Sequence, residues 1–319
     1  MQFLGRQRDP PIARHRLEGP ERIQRGQGRC EIFEHLWTNM SISSHRQLAH
    51  KLAMTNPQAP EPAVGPVDYD RSQFQHQAYA KGRALSAKAI TDYMRMFAEH
   101  LPAHRPLTGI DLGSSTGRFT PALAEAFGGP VYGVEPSDRM RAVAEAQSAH
   151  PLVTYLAGEG ARIPRPDASA DFVLMFLSFH HMPDQAAALA EIARALKPGG
   201  RVLLRSTFKE RIPDHWWRGF FPRSHAIEEA MFLSTDDTRA LFEEAGFSTL
   251  GLAQREIPFE GEIATEVEKL KLRAVSVFEH MTEDELTAGF AAIDAAFAAG
   301  TIERKPTLGD FMVFERRAV

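Results

Sequence analysis

Two acidic residues, Asp111 and Glu135, each close a short apolar run, and the stretch between them opens with Gly109–Gly117, Gly-Ile-Asp-Leu-Gly-Ser-Ser-Thr-Gly. Leu107–Leu112 is an apolar segment carrying Asp111 near its end. Three small residues then separate Gly113 from Gly117, and Phe119–Phe127 is amphipathic, so the local pattern is strand, tight turn, helix. Glycines at such a turn permit positive φ and close backbone approach to a ligand, while free N–H groups at the helix start favour polar or anionic atoms. The next run, Pro130–Val134, delivers Glu135 at a strand end, where a carboxylate can accept from both hydroxyls of a ribose. Together these residues read as a binding site for a nucleoside.

The nicotinamide fingerprint is Gly-x-Gly-x-x-Gly without an acid before its first glycine. This chain instead has Asp111-x-Gly113-x-Ser115-x-Gly117, and Glu135-Pro136 follows at the next strand end. The spacing resembles the first motif of class I S-adenosylmethionine-dependent methyltransferases, with Ser115 in place of the middle glycine. Three further segments agree in order and distance with the small-molecule, type 11-like branch of that family. They are Gly158–Pro164, with Glu159; Asp171–Leu177 followed by Ser178-Phe179-His180-His181-Met182-Pro183-Asp184; and Ile192–Leu204, with Lys197-Pro-Gly-Gly.

The resemblance implies S-adenosyl-L-methionine as cofactor, held by Asp111, Gly113, Ser114, Ser115, Gly117, Glu135, Pro136, Met140, Gly158, Glu159, Gly160 and Phe176. Glu135 would take the ribose, Glu159 the adenine amino group, and Met140 the adenine face. Tyr79 and Arg83 are candidates for the methionine end, where a guanidinium pairs with a carboxylate. His181, placed after the fourth strand, is the candidate general base, since a neutral imidazole can accept a proton from a hydroxyl or amine. His180, Arg205, Trp216, Trp217 and Arg218 are candidates for contacting a substrate. Because His180 and His181 are adjacent, their side chains are expected to diverge rather than chelate, and no metal is expected.

The elements needed to hold these residues are those of an α/β fold. The resemblance implies a doubly wound, mainly parallel, seven-stranded Rossmann-like sheet with an antiparallel last strand and a helical cap. Helices are expected over 86–100, 119–127, 137–146 and 185–196, with another from the Ser234 cap through Ala245. A helical region over 265–297 should break near Thr282, and strands are expected over 249–259 and 310–316. A methyltransferase domain over 68–319 would contain a cap at 68–100 and substrate-lid insertions at 205–233 and 262–305. Residues 54–67 are a Pro-rich linker, and residues 1–53 read as a disordered or mis-started extension, with a short helix possible in its pattern over 32–52.

Bulk properties narrow the class further. Residues 1–53 carry nine Lys/Arg against five Asp/Glu, leaving 28 against 36 and a net charge of −8 for the remainder. An acidic remainder without a long basic cluster argues against nucleic-acid binding. One cysteine excludes an internal disulfide framework and fits a reducing, cytoplasmic setting. The longest apolar run, Phe172–Leu177, is far below the roughly 20 residues of a membrane span, so no membrane partner is expected. The aromatic segment His215–Phe221 suits an aromatic or amphipathic small-molecule substrate. Two alternatives share these motifs: an enzyme using the cofactor for non-methylating chemistry, and a non-catalytic cofactor-binding module. Oligomeric state is not set by the sequence.

Overall fold

The computed structural model describes residue 70 and residues 75–318. The expectations for residues 1–53, for residues 54–67 and for a helix over 32–52 lie outside these described residues. Two helices open the described chain, α1 (Gln75–Gly82) and α2 (Ala87–Ala98), the latter capped by Ser86, whose side chain accepts from Ala89 N. The alternating part follows as β1 (Gly109–Leu112), α3 (Thr120–Phe127), β2 (Val131–Glu135), α4 (Asp138–Gln147), β3 (Val153–Ala157), β4 (Ala170–Phe176), α5 (Gln185–Ala195) and β5 (Leu196–Ser206). After β5 come α6 (Ser224–Met231), α7 (Thr235–Glu244), β6 (Phe247–Ile257), α8 (Ile263–Lys271), α9 (Glu283–Ala298) and β7 (Thr307–Arg316).

Local chemistry explains where these helices start. Ser137, Asp184 and Ser234 each accept a backbone N–H three residues on, which satisfies one orphan donor of α4, α5 and α7. Helix α3 lacks a side-chain cap but has proline in its first turn and ends on left-handed Gly128. The region expected to be helical over 265–297 is two helices separated by a 3-10 turn, Ser276–His280. Arg273, at φ 55°, leaves the helical region after α8, and Thr282 starts α9 with a reciprocal capping box to Glu285. Helix α6 had no sequence signal strong enough to announce it.

The sheet order is β3-β2-β1-β4-β5-β7-β6. Strands β1 to β5 are mutually parallel, whereas β7 runs antiparallel to both β5 and β6. Alternate residues along the central strands feed two cores, as the two-residue period of a strand requires. Val173, Met175, Val202, Leu204 and Phe314 pack in one, with α5 and α7, while Phe172, Leu174, Leu203 and Phe311 pack in the other, with α2 and α3. A third cluster belongs to the insertions alone. Trp217, Phe221 and Ile227 from the segment after β5 pack on Val267, Leu270, Val277, Phe278, Leu286 and Ile293 from the segment after β6. The two insertions therefore share one apolar core. Among the described residues no helix is long and apolar enough to cross a membrane.

Candidate functional site

Strand β1 is flanked by β2 on one side and β4 on the other, so the sheet changes winding direction beside it. Ligands of open α/β sheets bind outside the carboxyl ends of strands at such a point. There a cleft of about 480 Å³ is lined by Asp70, Tyr79, Gly113, Ser115, Glu135, Pro136, Ser137, Met140, Glu159, Gly160, Phe176, Ser178, His181 and Met182, among others.

The turn after β1 holds the acid at the cleft's floor. Gly113 N and Ser114 N both bond to Val134 O, at 2.8 and 3.2 Å, which folds the glycine turn against the end of β2. Gly113 is at φ 77°, and a Cβ there would lie 2.5 Å from Ser178 Cβ, so only glycine fits. Ser115 N then donates to Glu135 Oε2 at 2.9 Å, and Ser137 N donates to Oε1 at 3.1 Å. Both carboxylate oxygens are thus aimed by backbone groups and keep further lone pairs for a ligand. Burial pushes the Glu135 carboxyl above its usual range, opposed by those two N–H donors.

Ser115 adopts φ 52°, the left-handed conformation its motif position reserves for glycine. A non-glycine residue held there stores on the order of 1–2 kcal/mol of strain, against roughly 0.4–1 kcal/mol of added chain entropy if glycine replaces it. Ser115→Gly is therefore expected to raise thermal stability slightly with cofactor affinity kept. A lower melting temperature for that variant would show that the contact of Ser115 Oγ with Met140 Sδ, at 3.7 Å, outweighs the strain.

The remaining expected cofactor residues divide into lining and supporting groups. Asp111 is buried behind the cleft, where it accepts from Thr120 Oγ1 at 2.7 Å and burial pushes its carboxyl up to about 6. Gly117, at φ 77°, lies against Tyr155 and Ser148, and a Cβ there would meet Tyr155 Oη at 2.2 Å. Ser114 is buried and does not line the cleft, and Gly158 is pressed against Pro164. Arg83 also lies off the cleft wall, although its neighbour Tyr79 lines it. The motif spacing had no means of separating residues that would touch a ligand from those that hold the turn.

His180 and His181 end up closer together than a strand or open turn would allow. Residues Phe179–His181 form a 3-10 turn, and the two imidazole rings lie 3.9 Å apart, tilted by 44°. The expected divergence of the two side chains is therefore corrected. His181 lines the cleft; His180 sits behind it against Phe232, with ring centroids 4.6 Å apart. Burial and the positive charge of Arg83, together with His280, hold His181 down to about 4, so its ring is neutral near pH 7. Among the described residues no three His, Cys, Asp or Glu side chains converge closely enough to hold a metal.

The candidate substrate residues beyond β5 are mostly engaged elsewhere. Trp217 is buried in the core shared by the insertions, and Arg218 is ion-paired with Glu228 while its Nε donates to Pro213 O at 3.0 Å. Arg205 donates to the carbonyls of Ser206 and Asp310, and Trp216 packs partly buried on the core shared by the insertions. None of these lines the cleft, nor does His180. Conversely, Asp70, Ser137, Ser178 and Met182 line it without having been singled out as site residues. Ser137 caps α4, and its hydroxyl donates to Asp70 Oδ1 at 2.5 Å while accepting from Met140 N.

This mixed sheet, with its glycine turn and acid at the carboxyl ends of β1 and β2, defines the Rossmann-like class I S-adenosylmethionine-dependent methyltransferase fold. Residues 110–204 match the family model described as a methyltransferase domain. A demethylmenaquinone methyltransferase of Bacillus licheniformis is 33% identical over 103 residues, covering 31% of this chain and 44% of the relative. An O-methyltransferase of Penicillium expansum is 30% identical over 146 residues, covering 44% of this chain and 52% of that protein. The chain thus spans about half the length of these curated relatives. The crystal structure of a methyltransferase from an antibiotic biosynthesis pathway of Anabaena variabilis shares the fold, with a TM-score of 0.58 at 20% identity over 72% of this chain and 98% of that one.

Proposed function

We propose that the cleft binds S-adenosylmethionine and that the protein transfers a methyl group to an O, N or C nucleophile of a small molecule. The observation that carries this reading is Glu135, held at the cleft floor by two backbone N–H groups within the same cavity as His181. The residues present fit the cofactor. A buried carboxylate with spare lone pairs suits the two ribose hydroxyls, and Met140 and Pro136 offer an apolar surface beside it for a base. Tyr79 and exposed Glu159 also line the cleft, the latter offering a carboxylate that can accept from an amino group.

When bound, S-adenosylmethionine supplies an electrophilic sulfonium methyl; the bond from nucleophile to carbon forms as the S–CH₃ bond breaks, leaving S-adenosylhomocysteine. The chain's own residues orient the nucleophile and exclude water, which supplies much of the rate in such a displacement. For a hydroxyl or amine, neutral His181 takes the proton that the nucleophile loses.

Titration calorimetry tests the reading. S-adenosylmethionine and S-adenosylhomocysteine should bind with Kd on the order of micromolar, roughly −8 kcal/mol, and nicotinamide dinucleotides negligibly. Glu135→Ala should weaken cofactor binding by about 1–3 kcal/mol through lost charge-assisted hydrogen bonds, and Glu135→Asp by less. Tighter binding of a nicotinamide dinucleotide, or undiminished affinity in a well-folded Ala variant, would refute the assignment.

A further inference from the structure

Asp70 precedes α1 in the chain and yet lines the same cleft as Glu135, Ser137 and Met140. Its Oδ1 accepts the Ser137 hydroxyl hydrogen at 2.5 Å, a contact between residues 67 positions apart. That distance lies at the short end for a hydroxyl donating to a carboxylate, one of the stronger kinds of hydrogen bond. The Ser137 hydroxyl above all, and then the backbone N–H groups of Arg139 and Asp138, hold the Asp70 carboxyl below its usual range, so it is ionised near pH 7. The carboxylate thus sits against the amino end of α4, the end of a helix that favours a negative charge.

Ser137 is the hub through which Asp70 acts. Its backbone N–H donates to Glu135 Oε1 at 3.1 Å, and its Oγ accepts from Met140 N at 3.1 Å. One residue therefore links the carboxylate assigned to the ribose with the methionine assigned to the base. The other helix caps show what is unusual here. At α7 and α9 the cap hydroxyl donates to the acid three residues on, Ser234 to Asp237 and Thr282 to Glu285. At α4 that position is Met140, which the cleft uses as apolar wall, so the acid arrives from a distant part of the chain instead. A hydroxyl rotates freely until something accepts its hydrogen; Asp70 fixes that hydrogen, and with it the lone pair that caps α4.

We propose that Asp70 is a positioning residue of the cofactor site: by holding Ser137 it sets the Glu135 carboxylate and the first turn of α4 for the nucleoside half of S-adenosylmethionine. The inference rests on the cofactor reading above and adds to it a residue that none of the motifs contains. Asp70 reaches the ligand only through Ser137, and Ser137 reaches the groups that face the ribose and the base. Holding Asp70 in place costs chain entropy, so the bond and the ligand support each other. Whatever binds the assembled wall favours the bond, and by the same linkage loss of the bond weakens the ligand.

The test titrates two ligands into the full-length protein: S-adenosylhomocysteine, and methylthioadenosine, which keeps the nucleoside and lacks the amino-acid end. Asp70→Ala should weaken both by the same factor, about 10-fold, the scale of a hydrogen bond to a charged group. Asp70→Asn, which still accepts from the hydroxyl but carries no charge, should restore part of that loss, and it is the variant read where Asp70→Ala does not fold. Ser137→Ala should cost at least as much as Asp70→Ala, and the double variant no more than Ser137→Ala alone, because the two side chains act through one bond. A role in stability alone would lower the melting temperature and leave the affinity of the folded protein undiminished. That result, a loss confined to S-adenosylhomocysteine with methylthioadenosine unaffected, or additive losses in the double variant overturns the proposal and leaves the cofactor reading in place. A wild-type protein that binds neither ligand overturns both.

Discussion

Replacing His181 by glutamine should lower kcat by roughly 10²-fold or more for a hydroxyl or amine substrate, with S-adenosylmethionine affinity unchanged. The side chain lines the cleft, and burial beside Arg83 and His280 depresses its titration to about 4. A base with that value is already deprotonated throughout the neutral range. The wild-type kcat profile should therefore be flat from about pH 6 upward and fall only in acid, without the inflection near 6.5 of an ordinary histidine. The glutamine variant keeps a polar side chain of similar reach but cannot accept the proton. Equal turnover of the two proteins, with chemistry shown to be rate-limiting, would leave orientation as the sole catalytic device. His180→Gln should matter less than His181→Gln, since that ring lies behind His181 and off the cleft.

Mild acid should destabilise the fold well before ordinary carboxylates titrate. Burial holds His181 at about 4 and His215 at about 3, against an unfolded value of 6.5 for each. A depressed folded value means the unfolded chain binds the proton first, so this stability is present above pH 6.5 and is lost as pH falls. From pH 7 to pH 5 each of these two imidazoles removes about 2 kcal/mol. His180 and His280, also lowered by burial, act in the same direction. Asp111 opposes them: its folded value, raised to about 6 from 3.8, makes protonation favour the folded state and returns about 1 kcal/mol over that window. Buried Glu135 opposes them too. The net loss of roughly 2–3 kcal/mol corresponds to a melting temperature lower by about 5–10 °C at pH 5 than at pH 7. His215→Phe should flatten that dependence. A melting temperature that is constant or rises between pH 7 and pH 5 would show that these rings are accessible to water.

The parts of this architecture written in local pattern were readable from sequence. Whereas the antiparallel final strand is implied by the family resemblance, strand-turn-helix at Gly109–Phe127, the acid at the end of β2, the cap Ser234 and the break near Thr282 follow from residue type and spacing. Such features depend on neighbours within a few positions. What escaped depends on contacts between distant segments. Nothing near Asp70 announces that its carboxylate meets Ser137, 67 positions away, at the cleft wall. The aromatic and basic run His215–Phe221 looks like a substrate surface in isolation, yet Trp217 and Phe221 are occupied by Phe278, and Arg218 by Glu228. Composition cannot say which aromatic residues serve as mortar and which remain open to a ligand.

The core shared by the two insertions bears on how such a protein can be recombined with its relatives. Its apolar interior is assembled from two stretches of chain separated by helix α7 and strand β6, with Trp217 and Phe221 contributed by one and Val277, Phe278 and Ile293 by the other. Each stretch on its own would present a bare hydrophobic face to water. Gly289, on α9, makes the dependence tighter still, because a Cβ there would stand 2.2 Å from the Phe221 ring. Chimaeras that transplant one insertion from a relative will inherit half a jigsaw; the pair has to travel together, and recombination breakpoints that respect it fall before His215 and after Ile302, with the α7–β6 scaffold carried between them.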